Sequence, residues 1–242
     1  MIANVLYRFS IFADFQFITY NKQNIIKLLK VFDNEEFLPS VIQELLPTGV
    51  IAQRIQLIAK DGFSSITFLS ERIDIQIIAS RKEGFNNVEI KSNKDLLANY
   101  MKTIYDVFSD VIPEANRLAW IVDYVNFELT SEQKSLFKNR FQKELPFFKE
   151  GETEDMLIRY SAKKRSSVNN KEEVFNVITT IGKWLTNPQT ELEIDGYKIE
   201  YDINTDGNNK KNRFDKESFD DFISKASAFQ EEMNKEFVYN ER

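Results

Sequence analysis

Histidine and cysteine are both missing from this 242-residue chain. Without cysteine there is no disulfide, no thiolate nucleophile and no Cys/His zinc site. Without histidine every His-based triad is excluded, along with the one side chain that titrates near neutrality unaided. Any catalysis would fall to carboxylates, Lys, Tyr or Ser/Thr, most simply with a hard cation such as Mg²⁺. Nothing in the chain calls for a resident cofactor, so none is expected. Glycine and proline are scarce, at 7 and 5 residues, and long disordered linkers are not expected. No apolar run approaches the roughly 18 residues of a spanning helix. The N-terminal "MIANVLYRFSIFADFQF" lacks a basic leader and is interrupted by Arg8 and Asp14, unlike a signal peptide. These features predict a cytoplasmic protein with no membrane partner. Positive charge is also short. The formal net charge is −6 and neither half is basic, which argues against a dedicated nucleic-acid binder.

Aromatic residues are abundant, with 21 Phe, 9 Tyr and 2 Trp, and 42% of the chain is hydrophobic. That is ample for a sizeable core. Alternation of Phe9, Ile11, Ala13, Phe15 and Phe17 with polar residues predicts a strand over 5–17, with Phe12 out of phase. Asn21 is a suitable cap for the helix that follows, and 35–46 reads as another short helix with Pro39 near its start. "IAQRIQLIAK", Asp61-Gly62, "SSITFL", Ser70-Glu71 and "RIDIQIIAS" predict a three-stranded antiparallel meander, because both turn residues of Asp61-Gly62 tolerate positive φ. Helical spacing with a Ser92-x-x-Asp95 cap covers 92–112, ahead of Pro113. "RLAWIVDYVNFEL" predicts a strand buried on both faces. Thr130-x-x-Gln133 caps a helix over "SEQKSLFKNRF", a loop follows Pro146, and "MLIRYSAKK" reads as a weaker strand. Val174, Val177, Ile178, Ile181, Trp184 and Leu185 form a helical stripe over 171–186, and Asp195-Gly196 repeats the hairpin signal. From 215 to 237, Phe219, Phe222, Ile223, Ala226, Phe229, Met233 and Phe237 define a long amphipathic helix. Its stripe suits core packing better than docking on a partner or a second copy.

The order strand, helix, helix, hairpin, long helix recurs from residue 116, and an offset of 109 aligns Asp14 with Asp123 and Phe32 with Phe141. Two α+β halves packed together are expected, 1–115 and 116–242, the second either a degenerate repeat of the first or a chance recurrence of the same element order. The predicted fold class is α+β: a largely antiparallel sheet with helices on one face. The other face would be polar.

The run "KDGFSSITFLSERIDIQ", the helix "NYMKTIYDVFSDVI" and the strand "RLAWIVDYVNF" resemble a sporadically distributed family of uncharacterised prokaryotic proteins of similar length. The resemblance covers about residues 1–130 and rests on hydrophobic pattern. It implies a mobile-element or defence-associated gene and supplies no catalytic residues.

Candidate sites divide into three readings. In the first, a non-enzymatic interaction protein binds a protein partner through the open sheet face, with Arg8, Arg54, Arg72 and Gln76 in contact and the strand edges also available. Self-association is compatible with it. In the second, Asp74, Glu89 and Lys91 form the acidic-acidic-x-basic set of an Mg²⁺-dependent nuclease, two carboxylates holding the metal and Lys activating water. Short motifs of this kind recur by chance, and an ion pair between Asp74 and Arg72 is the simpler expectation. In the third, two basic loops, Lys163-Lys164-Arg165 and Lys210-Lys211-Asn212-Arg213, hold nucleic acid by phosphate contacts with Tyr160 as a stacking surface. Finally, "DINTDGNNKKNR" opens like a calcium loop, with Asp202, Asn204 and Asp206 at its first, third and fifth positions and Gly207 at the sixth. Its ninth and twelfth positions are Lys210 and Arg213, cations where the ion needs oxygen, so a polar strand-to-helix turn is expected there.

Overall fold

Alternating side chains and β-branched runs build nine strands into one sheet. In the computed structural model, which describes residues 2–32, 36–80, 87–126, 157–185 and 195–237, these are β1 (Ile2–Phe12), β2 (Phe37–Leu45), β3 (Ile51–Ala59), β4 (Ser64–Phe68), β5 (Arg72–Ser80), β6 (Arg117–Asn126), β7 (Leu157–Val168), β8 (Lys171–Leu185) and β9 (Asp195–Thr205). Three helices are described: α1 (Lys22–Val31), α2 (Asn87–Val107) and α3 (Ser218–Phe237). The strand order is β2-β3-β4-β5-β1-β6-β9-β8-β7, antiparallel at every step.

The first strand of each half pairs with the last strand of that half, and the earlier strands of the half step outward from it. β1 and β6 meet at the centre, Phe9 opposite Trp120, so one sheet runs through both halves. α2 packs on β5 and β1, and α3 on β9, β6 and β7. Both lie on the same face, over Tyr7, Phe9, Ile11, Ile73, Ile75, Trp120, Val122, Tyr201 and Phe175, all buried. Phe9 meets Phe219 edge to face and Phe222 in a stack, joining the sheet centre to α3. Lys102 pairs with Asp220 and Lys216 with Asp106, tying α2 to α3 and to the segment before it.

Five expectations are corrected. Residues 37–45 are edge strand β2 instead of a helix; Pro39 fits because the edge side of a strand needs no donor there. Residues 171–185 are strand β8 instead of a helix. Phe175, Val177, Thr179 and Ile181 share the covered face with period two, and the β-branched content suits a pleated surface. The turn into β8 is Asn169-Asn170, with φ of 51° and 63°, the geometry of a two-residue hairpin. Asp195-Gly196 is not a turn: both residues lie in the β8–β9 ladder, opposite Leu185 and Trp184. The strand ahead of α1 ends at Phe12, and α2 begins before Ser92 and ends at Val107. Asn21 does cap α1, its side-chain oxygen accepting from the Asn24 amide at 2.9 Å. Asp61-Gly62 does turn between β3 and β4, with Gly62 at φ 75°. The capped helix over 131–141 and the loop after Pro146 lie outside the described residues. No described helix is long and apolar enough to cross a membrane.

α3 also departs from its expected stripe. After Phe219, Phe222, Ile223 and Ala226 the buried positions are Ser227, Gln230 and Asn234, while Phe229 and Met233 are half-buried. Trp120 Nε1 donates to Gln230 Oε1 at 3.0 Å, and Gln230 Nε2 donates to the Tyr124 hydroxyl. The sheet aromatics supply both partners of the Gln230 amide, whereas Asn234 Oδ1 is buried without a partner among the described residues.

Candidate functional site

The face opposite the helices carries the even-numbered residues of β1: Arg8, Ser10 and Phe12. Register fixes their neighbours. Phe12 lies between Arg72 of β5 and Arg117 of β6, Ser10 between Asp74 and Ala119, and Arg8 between Gln76 and Ile121. The guanidinium carbons of Arg72 and Arg117 stand 5.9 Å and 4.6 Å from the Phe12 ring centre. One ring is thus flanked by two cations, both attracted by its quadrupole.

The two arginines differ in their other contacts. Arg72 Nε stands in an ion pair with Asp74 Oδ2 at 2.9 Å, two residues along the same strand face, though it is buried and outside hydrogen-bond geometry. Arg117 has no hydrogen-bond or ion-pair partner among the described residues, and its Nε is buried. A Cβ placed on Gly207 would touch its side chain at 3.6–3.7 Å, so the loop after β9 packs along it. Arg8 likewise has a buried Nε without a partner.

Toward the other end of the face, Asp123 pairs with Lys198 at 2.9 Å, and Lys198 with Glu200 at 3.0 Å. Burial raises the Asp123 carboxyl above its ordinary range, and the attraction of Lys198 and Arg8 does not fully reverse this. Oδ1 of Asp123 and Oδ1 of Asp74 are both buried without a donor. Guanidinium, carboxylate and amide therefore alternate across the middle of the face instead of forming one sign of charge.

Arg54 does not belong to this available set. It is 3% exposed, donating from Nε to Glu44 Oε2 at 2.8 Å, from Nη1 to the Gln16 carbonyl at 3.2 Å, and from Nη2 to the Ser70 hydroxyl. The Ser70 hydroxyl in turn donates to Glu44 at 2.6 Å. Burial pushes the Glu44 carboxyl up, but the Ser70 and Arg54 hydrogen bonds outweigh it and hold the group below its ordinary value. Arg54 joins β2, β3 and two connections, and its place in the expected contact set is corrected: Arg8, Arg72 and Gln76 remain half-buried on the face, and it does not.

The calcium-loop residues are also placed. Asp202 and Asn204 lie on β9 with Asn204 Nδ2 donating to Asp202 Oδ1 at 2.9 Å. Asp206 instead accepts from the Asn208 amide at 3.1 Å, so the three do not converge. The loop wraps its own cation. Arg213 donates to the carbonyls of Asn116, Asn209, Lys211 and Asp206, and its Nε and Nη2 reach the Glu173 carboxylate at 2.8 Å and 3.2 Å. The guanidinium occupies the role an ion would have. Among the described residues no group of three acidic side chains is arranged to hold a metal.

The basic clusters are split by the fold. Lys163, Lys164 and Arg165 lie in edge strand β7, not in a loop, and opposite Asn176, Phe175 and Val174 they alternate between faces. Arg165 pairs with Glu172 at 3.1 Å. Arg165 lines one depression of about 390 Å³ with Glu172, Glu173, Val174, Asp206 and Asn209, so carboxylates, and no residue of the second cluster, share it with Arg165. Lys163, Lys164, Lys210, Lys211 and Tyr160 are exposed, whereas Arg213 is half-buried against Glu173. Of the nuclease set, Asp74 is on the open face, while Glu89 and Lys91 belong to α2, which packs on the opposite face. Their side chains lie outside the described residues.

Phe12 and Arg117 are the site residues that sequence reasoning did not single out. The available signal was the one ring on the polar phase of β1. No protein-family model matches this chain, and no curated protein is similar to it.

Proposed function

We propose that this protein is a non-enzymatic interaction component whose open sheet face receives another protein over Arg72, Phe12 and Arg117. The observation that carries the proposal is the contrast among arginines: Arg54 and Arg213 hydrogen-bond carboxylates and Arg72 stands in an ion pair with Asp74, while Arg8 and Arg117 on the open face form no ion pair among the described residues. A guanidinium stacked on a ring keeps its N–H edge free for an acceptor in its plane, and no described residue supplies that acceptor to Arg117. Arginine and aromatic anchors are the residue types that dominate protein interfaces. The interleaved Asp74, Asp123, Glu200 and Asp202 favour a partner of mixed charge over a polyphosphate backbone. The resemblance over residues 1–130 adds a setting to the proposal, a prokaryotic defence or mobile-element cassette.

Affinity capture from cells carrying the gene tests it, comparing wild type with Phe12→Ala and Arg117→Gln. A stoichiometric protein lost in both variants is the expected result. Equal capture by all three, or nucleic acid as the bound species, would overturn the assignment.

A further inference from the structure

The two outer edges of the sheet are chemically unlike. Edge strand β7 carries Arg159, Lys163, Lys164 and Arg165, the kind of charge that blocks edge-to-edge pairing. Edge strand β2 carries one charged residue, Glu44, and that carboxylate is engaged by Arg54 and Ser70. We infer that β2 is a self-association edge. Two copies pair β2 with β2, antiparallel about a two-fold axis at Gln43, and join their sheets into one.

The backbone geometry supports this directly. The Leu46 amide donates to the Val50 carbonyl at 2.9 Å, and this pair continues the β2–β3 register of Leu45 with Ile51 and Glu44 with Ala52. In an antiparallel ladder hydrogen-bonded positions alternate, so the even-numbered residues of β2 face β3 and the odd-numbered ones send N–H and C=O outward. The Gln53 carbonyl agrees, since it points away from β2 and accepts from the Tyr20 amide. Val41, Gln43 and Leu45 therefore present unpaired ladder groups, and no described strand pairs with that side.

The side chains agree with the backbone. Val41 is 45% exposed, Leu45 72% and the neighbouring Ile51 61%, forming an apolar strip on the helix side of the sheet that stays uncovered among the described residues. A neutral, apolar edge meets its own copy without repulsion, whereas two basic β7 edges would repel. The register follows from Pro39, which is odd-numbered and so lacks a donor on the outer side. An axis at Val41 would set Pro39 opposite Gln43 and lose a bond. An axis at Gln43 sets Val41 opposite Leu45 of the second copy and leaves Pro39 beyond the ladder. The self-complementary contact closes after two copies.

Because the chain has no cysteine, Gln43→Cys introduces a single thiol. Across the axis the two Cα atoms would be about 5.5 Å apart, within disulfide range. Mild oxidation should convert Gln43→Cys to a covalent dimer, while Tyr160→Cys on β7 should form no covalent cross-link. Sedimentation should show a dimer for wild type and a monomer for Val41→Lys and Leu45→Lys, both with unchanged circular dichroism. A wild-type monomer at all concentrations, or cross-linking of Tyr160→Cys but not Gln43→Cys, would overturn the inference. None of these readouts depends on the open-face partner.

Discussion

Arg54 and Arg117 stand on the same face of the same sheet, four strands apart in the sheet order, and do opposite work. Arg54 is sealed by Glu44, Ser70 and the Gln16 carbonyl, and it fastens the β2 end of the sheet. Arg117 rests on Phe12 and leaves its donors unclaimed among the described residues. Residue type and strand position are shared, so what faces each guanidinium decides its role. Arg213 belongs with Arg54: outside the sheet, it gathers a loop and Glu173 as Arg54 gathers two connections and Glu44.

The largest effect expected from breaking this contrast is Arg54→Ala, which leaves the Glu44 carboxylate in place without its cation. Losing one partner of a buried pair costs about 3 kcal/mol or more, and denaturant unfolding should show it. Arg117→Ala should stay within about 0.5 kcal/mol of wild type in the same measurement. A comparable loss at both positions would erase the distinction between structural and available arginines. Arg213→Ala should cost about 2 kcal/mol, less than Arg54→Ala because the loop carbonyls it releases regain water. Its near-neutrality would mean the loop organises itself without the internal cation.

Acidity sharpens the same comparison. The Glu44 carboxyl is lowered in the folded state, so its contribution is fully present above the ordinary carboxylate range and is lost as pH falls through the lowered value. Thermal midpoints of wild type should therefore fall in acid more steeply than those of Glu44→Gln. The smallest effect is expected at Asp123, raised by burial. A raised carboxyl has its ionic form disfavoured by folding, a cost present at neutral pH, relieved as pH falls through the raised value and gone below the unfolded one. Asp123→Asn should raise the thermal midpoint slightly at pH 7, with the gap narrowing as the solution is acidified.

The architecture was partly legible. Asp61-Gly62, the Ile73, Ile75 and Ile77 alternation and the stripes of α2 and α3 are local patterns, and each formed the expected element. The failures share one cause. Residues 37–45 and 171–185 hold apolar positions that suit both a period of 3.6 and a period of 2, and only pairing with β3, β7 and β9 selects the strand. Asn169-Asn170 was the local clue, since both residues accept positive φ. On the open face, Phe12 was visible as an exception to alternation, but its significance needed Arg72 and Arg117, which register brings to its sides from 60 and 105 residues away.

By itself the sequence determined which chemistries are closed to this protein, because absent histidine and cysteine remain absent in any fold. It also determined the α+β class, since the spacing of apolar residues dictates which faces must be buried. The tertiary structure alone decided which arginines are structural and which are available, and that β2 is an apolar edge while β7 is a basic one. Burial and edge position come from strand order and register, and those join residues that no local pattern connects.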